Sequence, residues 1–170
     1  MATPVVELAD AILAGIQAKL GDTPTDWPAK SRWNGSPGLV LPKDPEAARV
    51  WHPVHDLEDI PENGQIWVVG MAADDQTTKS RTNTALREIP VQIAFQKLVD
   101  PNDKAAQDIL VEAEDQLREI CRLEVDETRF SWTRNESLKD DNGTPFSYTG
   151  LRQTSVWEAY FTAFYTYTLH

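Results

Sequence analysis

The chain reads as a single α+β domain over residues 1–170, a mixed or antiparallel sheet of about five strands packed with two amphipathic helices in the order α-β-β-β-α-β-β. Three observations predict this. Apolar residues recur at helical spacing in two separate stretches, 5–20 and 106–121. Two other stretches, 87–97 and 157–167, alternate with period two instead. Finally, 170 residues with 41% apolar and 25% charged content are enough for one core. A chain of that size buries roughly 70% of the surface it exposes when unfolded, without help from disulfides.

Thr3-Pro4 opens the first helix as an N-cap followed by proline, whose missing N–H costs nothing at the first helical position. Val5, Leu8, Ala9, Ile12, Ile16 and Leu20 then share one face, and Gly21 stops the helix. Residues 22–45 differ in kind. Pro24, Pro28, Pro37, Pro42 and Pro45 fall there with Gly35, Gly38, Trp27 and Trp33, a density that prevents continuous helix or central strand. The segment is an extended ordered loop or arm. Its tryptophans either pin it onto the domain or anchor it on a neighbouring subunit, where Trp often carries binding energy.

A short strand is expected at 49–54, a turn at Pro61-Glu62-Asn63-Gly64, and a largely buried strand over 65–71. The polar stretch from Asp74 to Ala85 has nothing to bury and reads as a loop. In the strand that follows, Ile89, Val91, Ile93 and Phe95 face one way and Glu88, Gln92 and Gln96 the other. Pro90 cannot donate to a ladder, so that end of the strand is an edge or has its N–H side open. Asp100-Pro101 starts the second helix, with Ala106, Ile109, Leu110, Ala113, Leu117, Ile120 and Cys121 as its buried stripe. Residues 129–133 make a fourth strand. A polar stretch through Asp141-Asn142-Gly143 then leads to a long fifth strand, with Trp157, Ala159, Phe161, Ala163, Tyr165 and Tyr167 on one face.

The formal charge is −11, and it is unevenly spread. Residues 100–127 hold ten acids against three bases, whereas 76–87 hold Lys79, Arg81 and Arg87 with no acid. Tight nucleic-acid binding needs clustered Lys and Arg, so this balance argues against it. Separated charge suits contact with protein partners; an acidic helix face is equally well explained as merely solvated. No apolar run approaches the roughly 20 residues that span a bilayer. The N-terminus has no basic leader or small-residue cleavage site, so no signal peptide is expected. A lone cysteine, Cys121, cannot form an internal disulfide, which fits reducing cytoplasm.

Searches for chemistry return little. The glycines fit neither GxGxxG nor GxxxxGK[ST], and HExxH, CxxC and GxSxG are missing. Asp140-Asp141-Asn142-Gly143 lacks the ligand spacing of a calcium loop and reads as a turn. His52-Pro53-Val54-His55-Asp56, with Glu58 and Asp59, could ligate a transition metal only if Pro53 bends the chain so that both imidazoles converge. The alternative is a polar strand end entering an acidic turn. Cys121 sits on a buried helical stripe and reads as an inert core thiol. No cofactor, metal or catalytic centre is expected.

The order of elements carries more than any motif. A helix precedes a short strand and a buried strand. Then come the basic polar loop Asp74-Asp75-Gln76-Thr77-Thr78-Lys79-Ser80-Arg81 and the long alternating strand 87–97. An Asp-opened amphipathic helix follows, and the chain closes on the Thr- and aromatic-rich strand beginning Thr154-Ser155-Val156-Trp157-Glu158-Ala159-Tyr160-Phe161. This pattern, over 49–169 and the first helix, resembles the tail terminator (tail completion) proteins of long-tailed bacteriophages and prophages. The resemblance implies a non-enzymatic hexameric ring at the tail–neck junction of the virion, assembled in the host cytoplasm. Such a ring caps the tube of the major tail protein and joins it to the head–tail connector and neck proteins. Genomic DNA passes through its lumen without specific binding, and no membrane is involved. Lys79, Arg81 and Arg87, with Trp27 and Trp33 in the arm, are then the candidate contacts to the tail tube or an adjacent subunit. Three competing readings are another neck component (a head–tail adaptor or stopper), a small metal-dependent enzyme using His52 and His55, and a small-ligand or adaptor domain of the same class.

Overall fold

Thr3, extended at φ −74° and ψ 151°, precedes Pro4 and opens helix α1, Pro4–Lys19, as the cap-plus-proline signal predicts. The structure is a computed structural model, and it describes residues 3–20, 27–36, 38–39, 45–50, 59–70, 77–79, 85–123, 125, 129–137 and 148–168. Six strands follow: β1 Glu46–Val50, β2 Gln65–Gly70, β3 Thr77–Lys79, β4 Ala85–Leu98, β5 Phe130–Ser137 and β6 Val156–Thr168. Helices α2, Lys104–Leu123, and α3, Tyr148–Thr154, complete the set. The sheet order is β1-β2-β4-β6-β5, with β3 alongside the end of β4. β1 runs parallel to β2 and every other pairing is antiparallel, so the sheet is mixed.

The α+β single-domain architecture is therefore the one expected, with differences in detail. The first strand lies at Glu46–Val50 rather than 49–54; residues 51–58 are outside those described. Part of the expected polar loop is strand β3. A three-residue ribbon strand held by backbone pairing needs no apolar residue, so periodicity could not reveal it. α3 was not anticipated either; it places Leu151 in the core from a largely polar sequence. α2 begins three residues later than Asp100-Pro101 suggests. Asp100 first accepts from the Asn102 N–H (2.9 Å) in a local turn, and Asp103 is the residue whose carboxylate caps the Ala106 N–H (3.0 Å).

One parity of each strand builds the core. Ile66 and Val68, Ile89 to Phe95 in steps of two, and Trp157 to Tyr165 in steps of two meet Leu8, Ile12 and Ile16 of α1 and Leu110, Leu117 and Ile120 of α2. Ile109 does not join them. It lies about 70° from the centre of the buried arc of α2 at 100° per residue and is 38% exposed. Pro90 behaves as expected: rungs with β2 end at Val91 and rungs with β3 begin at Arg87, leaving Pro90 in the interval.

Cys121 is fully buried, and burial pushes its thiol up to about 12. The Tyr165 hydroxyl donates to the Cys121 carbonyl, and burial likewise raises that phenol. An unfolded thiol ionises near pH 8.5, so the folded state binds the extra proton and stability falls as pH rises from there toward 12. The native protein should resist iodoacetamide at pH 8 and react stoichiometrically in denaturant. Complete native labelling within minutes would contradict a sealed thiol.

Candidate functional site

Side chains alternate along a strand, so the parity that builds the core leaves a second face on the same sheet. There Gln96, fully buried at the middle of three strands, joins its neighbours in register. Gln65 donates to its side-chain oxygen (2.6 Å). Its own amide donates to Glu158 (2.8 Å) and to the Tyr160 hydroxyl oxygen (3.1 Å). Burial, then the charge of Glu158, raises the Tyr160 phenol well above its ordinary range, so it stays protonated at any physiological pH.

Farther along this face the Arg134 guanidinium lies 3.9 Å from the Phe164 ring centroid. It donates to Glu88 across the sheet (2.8 Å) and to Glu136 on its own strand (2.6 Å). Hydrogen bonds to Glu88, then Glu136, raise the guanidinium further still. These two groups hold their protons at any physiological pH.

Past the last rung with β2, β4 continues for the six residues Ala85–Pro90, about 20 Å at 3.4 Å per residue. β6 runs beside it as far as Leu86↔Thr168, and β3 supplies the rungs Thr77↔Arg87 and Lys79↔Ala85. Two of the three predicted basic contacts, Lys79 and Arg87, thus come together in one ribbon, two register positions apart. Arg81 is outside the described residues.

The arm is pinned. Trp27, 3% exposed, belongs to the domain's own core, with the Lys19 ammonium 5.3 Å from its ring centroid. Trp33 donates its indole N–H to Asp115 of α2 (2.9 Å), and Arg32 pairs with the same carboxylate. Gln116 donates to the Gly38 carbonyl (2.8 Å), while Leu39 donates to the Lys19 carbonyl (3.1 Å). Of the two roles open to these tryptophans, the intramolecular one is realised; Trp27 in particular has no surface to offer a neighbour. Behind the arm, Arg122 grips Glu119 at 2.9 and 2.6 Å. That grip, reinforced by Ser31, holds the Glu119 carboxyl below its ordinary range.

His52 and His55, the candidate metal ligands, lie outside the described residues, and so does Asp140-Asp141-Asn142-Gly143. Among the described residues no three His, Cys, Asp or Glu side chains are grouped to hold a metal ion. No described helix is long and apolar enough to cross a membrane. Sequence reasoning missed Trp132 of β5 as a surface residue and the exposure of Ile109; Val111, left off the buried stripe, is exposed. A tryptophan in a short, otherwise polar strand is the one available signal. Compared with models of known protein families and with curated proteins, the chain matches none.

Proposed function

We propose that the protein is a structural virion component that caps a phage tail tube as a six-fold ring and joins it to the neck. The observation that carries this reading is the β3–β4 ribbon. On a chain of net charge −11, it sets Lys79 and Arg87 together on a strand pair that outruns β2. A basic projection of that kind suits an acidic acceptor on the tube or on the next subunit. The element order that resembles tail terminators supports the same assignment, as does a sheet with both long helices on one face and a hydrogen-bonded polar and aromatic face on the other. An acidic surface lets DNA pass the lumen without sticking.

Negative-stain electron microscopy with mass measurement, on protein alone and on protein mixed with assembled tail tubes, tests the reading. Closed rings with a central hole, or rings at tube ends, are expected. Protein that remains monomeric in both samples overturns it. Replacing Lys79 and Arg81 with Glu should abolish tube capping while leaving the far-UV circular dichroism unchanged. Unchanged capping would remove the ribbon from the contact.

A further inference from the structure

Among the described residues four large apolar side chains are exposed, and three of them fall on two distinct surfaces: Ile109 and Val111 on α2, 38% and 49% exposed, and Trp132 on β5, 36% exposed. The surroundings of the two surfaces differ in sign. On α2, Asp108 and Glu112 are exposed and lie between Ile109 and Val111 around the helix at 100° per residue. This makes a net acidic strip, with Lys104 at its N-terminal end and an apolar margin on each side. Trp132 instead borders a groove of about 330 Å³ lined also by Lys30, Arg122 and Ser131. Glu119 takes two of the five N–H donors of Arg122, so the guanidinium retains donors for a second carboxylate.

We propose that the α2 strip of one copy seats in the Trp132 groove of a second copy of this chain, with Val111 or Ile109 against the indole and Glu112 or Asp108 against Lys30 and Arg122. The occupant is a second copy because this chain carries both halves of the match. A chain of net charge −11 repels itself, and a contact that sets acid against base is one that overcomes this. The strip centre and Arg122 stand twelve residues apart on α2, about 18 Å along its axis. Arg122 falls in the same angular sector of α2 as the strip, so the two lie along one face; the contact made once per copy is head-to-tail, the type that closes into rings, and made twice it closes a two-fold dimer. The inference deepens the ring reading and supplies it with an interface.

Complementary variants test it. Trp132→Asp spoils only the groove, and Ile109→Asp with Val111→Asp spoils only the strip. All three positions are exposed, and circular dichroism checks each fold. Each variant alone should associate at least roughly 30-fold more weakly than the parent, the loss typical of removing a hot-spot contact. An equimolar mixture should give a heterodimer that grows no further, since one intact groove and one intact strip remain. Rings that persist in both variants overturn this contact and leave the ring reading standing. A closed two-fold dimer in the parent, lost in both variants, overturns the ring reading and leaves the contact. A parent that is monomeric under all conditions overturns both.

Discussion

Phe161→Ala should cost about 3–5 kcal/mol of stability, the range for emptying a fully buried aromatic site. Phe161 is 1% exposed at the centre of β6, opposite Ile93 on β4 and Ser137 on β5. Its ring also lies 4.6 Å from the Arg118 guanidinium carbon, and Arg118 in turn holds Glu114 (2.6 Å) and the Ser137 hydroxyl (2.7 Å). Truncation therefore opens a void under α2 and removes the surface against which that cation is set. Against a total of about 5–15 kcal/mol for a domain, the loss should show as a large fall in urea midpoint with little change in slope. Phe161→Leu, closer in volume, should lose less than half as much. A Phe161→Ala protein within 1 kcal/mol of the parent would mean that α2 collapses readily onto the sheet.

The second large effect is expected at Gly38. Its φ of +124° is a conformation that L side chains rarely adopt, and a Cβ there would stand 2.9 Å from the Lys19 carbonyl oxygen. That oxygen caps the end of α1 by accepting from Leu39, and the Gly38 carbonyl accepts from Gln116 of α2. Gly38→Ala therefore strains a place where arm, α1 and α2 meet, at about 2–4 kcal/mol from the backbone strain and a lost buried hydrogen bond. Because Trp33 still holds Asp115, the damage should be local first. Hydrogen exchange should accelerate at 38–39 and at the end of α1 before the sheet is affected. Uniform loss of protection across β4 and β6 would show instead that the arm is integral to global stability.

What the sequence disclosed and what it hid follow one physical line. Elements that bury a regular stripe were legible: α1 from Leu8, Ala9, Ile12 and Ile16, and β4 and β6 from their alternation. Elements held by backbone pairing or by a single apolar contact were not, as β3 and α3 illustrate. β5 was seen only as 129–133, because beyond the register shift between Trp132 and Arg134 its side chains are polar on both faces. At the candidate site, the basic composition of 76–87 was visible, but its delivery on a ribbon was not. The arm posed the opposite difficulty. Its two tryptophans announced that it was ordered, yet whether Trp33 turned inward depended on Asp115, 82 residues away. Ile109 reads as core by periodicity and is 38% exposed, while Gln116, farther round the same side of α2, is fully buried; helical angle alone does not sort them.

The strand order also dictates a sequence of events during synthesis. β1, β2 and β4 emerge first and can zip together, but one long side of β4 stays open until β6 is made, because β6 covers it over thirteen rungs from Leu86↔Thr168 to Leu98↔Val156. β5, made earlier, has β6 as its only partner among the described strands and must wait as well. More than fifty residues separate the two halves of the central pairing, so its loop-closure cost falls late and the closing step should be slow. Until it happens, Ile89, Val91, Ile93 and Phe95 lie on a strand with an unpaired edge, the kind of nascent species that chaperones hold. Production in cells should accordingly be limited by this late insertion, and slower synthesis or lower temperature should raise the soluble yield.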